Sequence, residues 1–504
     1  MLAKGETQKK METQRSLFGK KIEYKWIVLS VTTIGALMAS IDSTIVILGL
    51  PDMLVKLHAD LIEMIWVIMG YILVSTVFLL SFGRVADILG RVRMYNLGFV
   101  IFTIGSALCG FSGNATQLII FRLVQGSGAA MMVVNSVALI TEVFPPNERG
   151  KALGINAITF SIGGVAGPIL GGLILTLADW RWIFFINVPV GVFGAIWGYR
   201  ALREMSTRKQ GERFDTVGAV SFSAGLTALL IALTLGIEYA FTSTPILILF
   251  GIFLVGVAFF LWWERRADNP VLDLSLFNDR IYNFSVLSAM MQSLALFAVN
   301  FLIVFYLQGV LGYDPLKAAL LLIPLPIVTS VVAPLGGNIA DRIGARIPAT
   351  IGLLIQGAAL VWFTRITPAM PYWQIAVGLG LMGFGGGLFY PPNTSAAMNA
   401  SPKNRLGIAS GTLATLRQAG MVTSFALALA VAASSLPRDV MMQLFVGTNV
   451  ALGSAPMQAF VTGMHSAFYV STVLVLIAAG ISFVRGKEDR SKLAEEHASV
   501  VIGE

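Results

Sequence analysis

The chain has few charged residues, and this scarcity excludes a soluble globular fold. Only 12% of its 504 residues are Asp, Glu, Lys or Arg, whereas a soluble domain carries about 25%. Three long segments, 281–313, 366–402 and 440–484, contain no charged residue. A helix needs only about 20 apolar residues to cross a bilayer. Each segment therefore predicts at least one membrane-spanning helix, and the chain is an integral membrane protein.

Cysteine and histidine are also scarce. Cys109 is the sole cysteine, which excludes an intrachain disulfide. The three histidines, His58, His465 and His497, lie far apart in the sequence, so no metal site is indicated. The apolar spans carry no pair of acids suited to an aspartyl dyad, and the chain has no nucleotide-binding P-loop. We therefore expect neither an enzyme nor a cofactor.

Basic residues outnumber acidic residues by 35 to 27, which gives a formal charge of +8. A basic chain can bind nucleic acid, but the cytoplasmic loops of membrane proteins also collect Lys and Arg. With both termini in the cytoplasm, 28 of the 35 basic residues fall on the cytoplasmic side, five lie outside, and Arg122 and Arg417 lie within spans. We therefore attribute the excess to membrane topology and expect no nucleic-acid partner.

This distribution assumes fourteen spans, which we assign from apolar runs and charged or Gly/Pro-rich breaks. They lie near residues 26–50, 62–82, 94–112, 116–141, 152–177, 182–202, 214–236, 244–263, 282–311, 315–337, 346–365, 371–396, 406–435 and 462–484. The polar, basic start of the chain precedes a segment too long for a signal-peptide core, so we expect the first span to be retained.

A weak internal repeat divides the chain into two halves. The loop GRVADILGR at 83–91 recurs as GGNIADRIGAR at 336–346, where two Gly and one Asp match at a constant offset of 254 residues. Equivalent loops are therefore eight helices apart, which predicts two six-helix bundles with two helices inserted between them. Paired halves of this kind are typical of secondary transporters.

The repeat predicts five segments along the chain. They are a cytoplasmic N-terminus at 1–25, an N-terminal bundle at 26–205, two inserted helices with flanking loops at 206–280, a C-terminal bundle at 281–485 and a cytoplasmic tail at 486–504.

Four motifs follow one another in the N-terminal half, each on the expected helix or loop. They are IDSTIVILGLP at 41–51, GRVADILGRVR at 83–93, FRLVQGSGAA at 121–130 and GGVAGPILGG at 163–172. This series resembles the first-helix, loop, fourth-helix and fifth-helix antiporter motifs of the fourteen-helix drug:proton antiporters in the major facilitator superfamily. The resemblance implies an all-α integral membrane protein with the major facilitator fold and transport driven by the proton gradient.

The resemblance also assigns roles to the motif positions. The matched residues are Gly83, Asp87, Gly90 and Arg91 in the loop motif, Arg122, Gln125, Gly126 and Gly128 in the fourth helix, and Gly163, Gly167, Pro168, Gly171 and Gly172 in the fifth. In the family the loop motif stabilises the outward-open state, and the fifth-helix motif packs against the opposite half and controls which side is open. Ordinary helix packing would also use such a glycine stripe.

Asp42 is the only charged residue between Lys25 and Asp52. An ionised Asp inside a bilayer costs roughly 2.5–3.5 kcal/mol, so it should face a cavity or a partner. At 1.5 Å per residue, Asp42 lies about 24 Å beyond Trp26, and Arg122 lies about 9 Å from the outer end of an antiparallel helix. Because these depths agree, we expect the two side chains to meet.

This expected pair has two interpretations. Burial favours the neutral form of a carboxyl group, whereas a nearby guanidinium favours the ionised form, so a change in exposure would let Asp42 take up and release a proton. We favour this proton and substrate role because acids inside membranes are usually functional. The alternative is an ion pair that only fixes helix packing.

Arg417 is the second basic residue within a span. It lies 11 residues into the thirteenth span, about 17 Å deep, and is followed by Gln418 in RQAG, a sequence compatible with the family pattern. It could hold an anionic or zwitterionic group, or it could be satisfied by Gln418 and neighbouring carbonyls. The sequence leaves these alternatives open.

The sequence therefore favours a proton-driven exporter of lipophilic monocations or zwitterions, working as a monomer in the cytoplasmic membrane by alternating access. The alternative is export of a physiological amphiphile or anion, such as a lipid, fatty acid, siderophore or amino acid, with Arg417 as its contact. Peptide import is disfavoured because the first span has no Glu-x-x-Glu-Arg. A receptor or sensor is disfavoured because the 20 residues after Val484 are too few for a signalling domain.

Overall fold

A computed structural model describes residues 14–17, 20–144, 146–204, 215–267, 270, 272–368, 370–402, 406–433 and 454–486. Parts of four predicted segments lie outside these residues, namely the start of the N-terminus, the loop before the inserted helices, the external segment at 436–461 up to residue 453, and nearly all of the tail.

The described chain is almost entirely helical. The helices are α1 Tyr24–Lys56, α2 Leu61–Leu89, α3 Arg91–Gly110, α4 Ala115–Val143, α5 Pro146–Leu177, α6 Trp182–Phe185, α7 Asn187–Ala201, α8 Thr216–Tyr239, α9 Thr244–Glu264, α10 Arg280–Phe305, α11 Pro315–Leu322, α12 Pro324–Ile343, α13 Arg346–Phe363, α14 Tyr372–Asn399, α15 Leu406–Ala433 and α16 Ser454–Val484. A short 3₁₀-helix, Leu274–Asn278, precedes α10, and a π-helical turn, Tyr306–Val310, extends it.

Among the described residues, twelve helical segments are long and apolar enough to cross a membrane. Two of them join neighbouring helices, α6 with α7 and α11 with α12. Two further long helices, α5 and α15, contain 32 and 28 residues and include side chains that the structure does not describe. These two occupy the fifth and thirteenth predicted spans, and with them the fourteen-span count stays a prediction.

A short pair of strands precedes the all-α membrane fold. Strands β1 Gln14–Leu17 and β2 Lys20–Glu23 pair antiparallel in front of α1, so the basic N-terminus contains a hairpin. Helix bounds also differ from the predicted spans. Helix α1 continues through Pro51 to Lys56, and α16 begins at Ser454 rather than near 462. The apolar pattern marks only the part of a helix within hydrocarbon, whereas backbone hydrogen bonding continues beyond it.

Side-chain caps fix several of the helix starts. The carboxylate of Asp60 accepts from Glu63 N at 2.7 Å, and Glu63 Oε2 accepts from Asp60 N at 3.1 Å. The side chains of Asn114, Asp279 and Asp314 likewise accept from the backbone N–H three residues further on, at the starts of α4, α10 and α11. The first backbone N–H groups of a helix have no partner within it, and these caps satisfy some of them where the chain leaves the membrane.

The helices form two groups that follow the repeat. In the first half, α4 packs against α2 and α3, while α1 packs against α5. In the second half, α14 packs against α12 and α13, while α10 packs against α15 and α16. The halves touch through α5 with α11 and through α2 with α15. The inserted helices α8 and α9 pack against each other, and α8 also contacts α2 and α15.

The repeated loop has the same backbone in both halves. Gly90 ends α2 with φ of 110°, and Gly344 ends α12 with φ of 90°. Each donates its N–H to the carbonyl four residues earlier, Ala86 O and Ala340 O, at 2.8 Å. Side-chain-bearing residues rarely adopt this positive φ, which explains why glycine stands at both positions. The offset of 254 residues therefore reflects a structural repeat.

Candidate functional site: a buried carboxylate cluster

The centre of the N-terminal half contains a closed polar cluster around Asp42, here called the Asp42 cluster. Its five side chains come from α1, α3, α4 and α7 and are each at most 3% exposed: Asp42, Ser106, Arg122, Gln125 and Asn187. Arg122 Nη1 donates to Asp42 Oδ2 at 2.6 Å, so the two residues that the sequence places at equal depth do meet.

The second oxygen of Asp42 is held by two amides. Gln125 Nε2 donates to Oδ1 at 2.8 Å, and Asn187 Nδ2 donates to the same atom at 3.0 Å. Both amides also donate to Ser106 Oγ, at 3.0 and 3.2 Å. The Ser106 hydroxyl donates a hydrogen bond to Phe184 O at 2.9 Å. Asp42 thus accepts from three side-chain donors, an arrangement that suits an ionised carboxylate.

Arg122 has further contacts that do not involve Asp42. Its Nη1 also donates to Gln125 Oε1 at 2.7 Å, and its Nε donates to Val67 O on α2 at 3.1 Å. The guanidinium carbon lies 4.0 Å from the ring centre of Tyr71, also on α2, which is a favourable cation–π distance. Arg122 therefore links α1 and α2 through α4.

Burial makes this ion pair energetically sensitive. Asp42 is 0% exposed and Arg122 is 1% exposed. Removal of one partner from such a pair costs about 3–5 kcal/mol because it leaves an uncompensated buried charge. In this conformation no solvent path reaches the carboxylate, so exchange of a proton or a ligand requires the helices around it to separate.

The sequence did not identify two members of the cluster. Ser106 and Asn187 lie in spans without a recognised motif, in IGSALCG and FFINVPV. The available signal was weak, since Asn187 is a lone amide in an apolar segment. Their role depends on α3 and α7 packing beside α1 and α4, which the local sequence does not encode.

The fourth-helix glycines allow α4 to lie close to two neighbours. A Cβ atom on Gly126 would lie 2.7 Å from Tyr71 O, and one on Gly128 would lie 2.8 Å from Gly98 O. Real Cβ atoms do not come this close to backbone oxygens, so only glycine fits at either position. This close approach brings Arg122 and Gln125 within reach of α2 and α3.

The fifth-helix motif packs differently from the family expectation. Added Cβ atoms on Gly163 and Gly171 would meet Ser40 Cβ at 2.7 Å and Ile45 Cγ1 at 2.8 Å, and Gly167 likewise lies against α1. These three glycines face a helix of the same half. The expectation that the stretch packs on the opposite half is wrong for them, because their i, i+4, i+8 spacing puts all three on one helix face.

Gly172 is the motif residue that does face the opposite half. A Cβ there would lie 2.6 Å from Leu316 Cα on α11. The expected contact between halves is therefore present at this position, where the end of α5 meets the start of α11. Pro168 lies inside α5 and removes one backbone donor from the same segment.

The loop motif joins helix ends on the side that the sequence predicts to be cytoplasmic. Arg91 Nη1 lies 3.4 Å from Glu142 Oε2, which ties the start of α3 to the end of α4. Gly83 lies against Val134 of α4. The side chains of Asp87 and Arg84 lie outside the described residues. Among the described side chains, Glu204 places a carboxylate at the start of α3, where it accepts from Val92 N and Arg93 N.

Arg417 lies on α15 at the boundary between the halves. Gly420 packs on Met290 O of α10, and Gln418 Oε1 accepts from Thr76 Oγ1 of α2 at 3.2 Å. At about 100° per residue, the Arg417 position falls between these two faces. Its side chain is half-buried and has no hydrogen bond or ion pair with the described part of the chain. The hydrogen bond of Gln418 therefore joins the two halves and does not involve Arg417.

No group of three or more His, Cys, Asp or Glu suited to a metal ion occurs among the described residues. The Asp42 cluster itself brings together a carboxylate, a guanidinium, two amides and a hydroxyl.

Comparison with known proteins identifies the family. A model described as Major Facilitator Superfamily matches residues 32–425, which include the Asp42 cluster, both repeated loops and most of both halves. The chain belongs to the Major Facilitator Superfamily. This confirms the resemblance inferred from the four motifs and the all-helical fold with twin halves, and it shows that the chain is a transporter.

Curated relatives narrow the group. The chain is 35% identical to Multidrug resistance protein Stp of Mycobacterium tuberculosis over 403 residues, which is 79% of this chain and 74% of that protein. It is 31% identical to Riboflavin transporter RibZ of Clostridioides difficile over 410 residues, 81% of this chain and 88% of that protein. Multidrug exporters are thus among the relatives of this superfamily member, as the antiporter motifs predict.

A solved structure supports the fold. A bacterial homolog of the human lysosomal transporter Spinster, in an inward-facing and occupied conformation, has a TM-score of 0.64 with 18% identity. The match covers 92% of this chain and 97% of that chain. At this identity the match establishes the major facilitator fold alone.

Proposed function

We propose that this transporter is a proton-coupled exporter of lipophilic small molecules and that Asp42 is the site for which proton and substrate compete. The observation that carries the proposal is the sealed Asp42 cluster, in which a carboxylate with no exposure accepts from a guanidinium and two amides. Acids inside a membrane are costly and are usually functional. The multidrug resistance relative supports the same direction.

Competition at Asp42 gives the coupling a definite sign. A cationic or zwitterionic substrate that approaches Asp42 needs the ionised carboxylate, so its binding releases a proton. A proton that binds first removes this negative charge and weakens the attraction for the cation. Alternating exposure of one such site on the two sides of the membrane produces antiport. No cofactor is needed for this cycle, because the proton gradient drives it.

The architecture proposed for this cycle is that predicted from the sequence. Two bundles, 26–205 and 281–485, rock about the site, with both termini in the cytoplasm, the protein acting as a monomer and the inserted helices at 206–280 beside them. The contact of Gly172 with Leu316 supports a closed external side in this conformation. The loop and fifth-helix motifs would then stabilise and release the closed ends.

Arg417 favours a second candidate, export of an anionic amphiphile. Its side chain is half-buried at the boundary between halves and has no ionic partner among the described residues. A cation near it would be repelled, whereas a carboxylate or phosphate would gain a charge-assisted hydrogen bond. The riboflavin transporter relative is compatible with this candidate. In this case substrate binding at Arg417 would not displace a proton from Asp42.

Two ions of the same shape and opposite charge distinguish the candidates. Purified protein in weakly buffered detergent is mixed with tetraphenylphosphonium or tetraphenylborate, and a pH-sensitive dye records proton release. We expect tetraphenylphosphonium to release protons from the parent and from Asp52→Asn, a matched control at the exposed end of α1, but not from Asp42→Asn. Equal release from Asp42→Asn would overturn the assignment of Asp42.

The second candidate has its own outcome in the same assay. If only tetraphenylborate binds, without proton release, and Arg417→Gln abolishes this binding while the external control Arg365→Gln retains it, the substrate is an anion held by Arg417. Ligand affinity for each variant is read by isothermal titration calorimetry on the same samples. Cation export is then abandoned.

A further inference from the structure

We infer that the side-chain amide of Gln125 is a switch that reports the protonation state of Asp42 to Arg122. This inference rests on the proposed function, since it assumes that Asp42 gains and loses a proton. It assigns to one amide the step by which protonation alters the contacts between helices. The observations that carry it are the two opposite faces of that amide and what each face touches.

The amide lies between the two charged groups of the Asp42 cluster. Its Nε2 donates to Asp42 Oδ1 at 2.8 Å, and its Oε1 accepts from Arg122 Nη1 at 2.7 Å. The orientation follows from these neighbours, because an ionised carboxylate only accepts and a guanidinium only donates. The reverse orientation would put like atoms face to face on both sides. With Asp42 ionised, the amide thus has one satisfactory orientation.

Protonation of Asp42 reverses this preference. A protonated carboxyl group must donate its hydrogen, but Arg122, Gln125 and Asn187 all present donors to its oxygens. Arg122 has no acceptor atom, so one amide must turn and offer its oxygen. When Gln125 turns, its Oε1 accepts from Asp42 and its Nε2 faces Arg122 Nη1. Arg122 then loses both the carboxylate charge and the amide oxygen.

Asn187 can also turn, but its turning has a different consequence. Its amide donates to Asp42 and Ser106 and makes no hydrogen bond with Arg122, so its orientation does not affect the guanidinium. Ser106 tolerates either orientation of Gln125, since its hydroxyl can rotate from Phe184 O to donate to an amide oxygen. Gln125 is therefore the positioning residue that links the two charges, and Asn187 is its natural control.

Arg122 keeps other contacts after the switch. Val67 O at 3.1 Å and the Tyr71 ring at 4.0 Å both belong to α2. The ion pair between Arg122 of α4 and Asp42 of α1 is lost on protonation, and only the hydrogen bond between Asp42 and the turned Gln125 still joins these two helices, whereas the contacts of Arg122 with α2 are retained. Because Gly163, Gly167 and Gly171 hold α1 against α5, the weaker link loosens both helices together, and α5 meets the opposite half at Gly172.

No other described group near Asp42 titrates in the same range. Tyr71 on α2 and Cys109 on α3 are the other titratable side chains that interact electrostatically with Asp42 and Arg122. Both are neutral near pH 7, since their ordinary pKa values are about 10 and 8.5. Asn187 and Ser106, which complete the shell from α7 and α3, carry no charge. A pH-dependent change at this cluster is thus attributable to Asp42.

The test separates titration of Asp42 from the movement that it triggers. Infrared difference spectra follow the protonated carboxyl band of Asp42 with pH and use Asp42→Asn as the blank. Spin labels on Val55→Cys and Leu320→Cys report the distance between the external ends of α1 and α11. Both positions are 47% exposed, and the native Cys109 is 0% exposed, which permits selective labelling of full-length protein in lipid nanodiscs.

We expect the distance in the parent to change with the same midpoint as the carboxyl band. In Gln125→Met, which preserves length without an amide, Asp42 still titrates but the distance no longer follows it. In Asn187→Leu the midpoint shifts while the distance still follows the band. A merely structural role for Gln125 would shift both readouts together, and a distance that follows the band in Gln125→Met would overturn the switch.

A second measurement needs no substitution at Gln125. In the labelled parent, the ¹⁵N–¹³C dipolar coupling between Gln125 Nε2 and Asp42 Cγ is expected to weaken on acidification as the amide turns. An unchanged coupling through the Asp42 titration overturns the switch even if Gln125→Met does not fold. Absence of any Asp42 titration in the parent instead refutes the proposed function, so the two failures are distinguishable.

Discussion

The buried ion pair should behave asymmetrically when it is removed by halves or as a whole. Asp42→Leu leaves the Arg122 guanidinium buried, with Gln125 Oε1, Val67 O and the rings of Tyr71 and Phe184 as its remaining contacts. We expect this variant to lose about 3–5 kcal/mol of stability, the usual result of breaking a buried pair. Arg122→Met should lose a similar amount, because it leaves the Asp42 carboxylate buried without its cationic partner.

The double variant Asp42→Leu with Arg122→Met should recover most of this loss. Replacement of a buried pair by apolar side chains is often neutral, or stabilising by about 1–4 kcal/mol. In the double variant, the amides of Gln125 and Asn187 still have Ser106 Oγ as an acceptor. The coupling energy from this double-mutant cycle should therefore approach the sum of the two single losses, about 6–10 kcal/mol, even though transport is lost in all three variants.

Thermal unfolding at one heating rate measures the order of stability. Cys109 is the sole cysteine and is 0% exposed, so a thiol-reactive fluorescent dye reports unfolding directly. The expected order of midpoints is parent and double variant together, with Arg122→Met and Asp42→Leu both well below them. Additive losses in the double variant would show that the two charges are not coupled, and would refute the argument from burial.

Two further outcomes test the external side. Gly172→Leu should prevent closure there, because even its Cβ would lie 2.6 Å from Leu316 Cα. It should therefore raise the labelling rate of cysteines placed between α5 and α11. The same change at Gly251 should not, since nothing lies within 4 Å of that position. In the loop between α5 and α6, partial burial by itself raises the pKa of Asp179, but hydrogen bonds from Arg181 N and Lys56 Nζ outweigh it and leave the pKa below its ordinary value. The stabilisation from this contact is therefore complete above about pH 3.9 and is lost as pH falls through the lowered pKa. The pH dependence of thermal unfolding should show this loss in the parent and not in Asp179→Asn.

The sequence determined features that depend on local composition and spacing. Apolar runs identify most membrane helices, because a segment in hydrocarbon needs apolar side chains and must hydrogen-bond its backbone groups within itself. The repeat at an offset of 254 predicts the shared backbone at Gly90 and Gly344. Rise per residue was sufficient to place Asp42 and Arg122 at one depth, and they meet at 2.6 Å.

Only the tertiary structure decided which faces of these helices meet. Gly163, Gly167 and Gly171 form one stripe in the sequence, but α1 rather than the opposite half lies against it. Ser106 and Asn187 complete the shell of Asp42 from helices 64 and 145 residues away along the chain, with bonds that no local pattern encodes. Spacing fixes depth and periodicity along each helix, whereas rotation about the helix axis is fixed by packing against neighbours distant in sequence. The partners of a buried charge depend on that rotation.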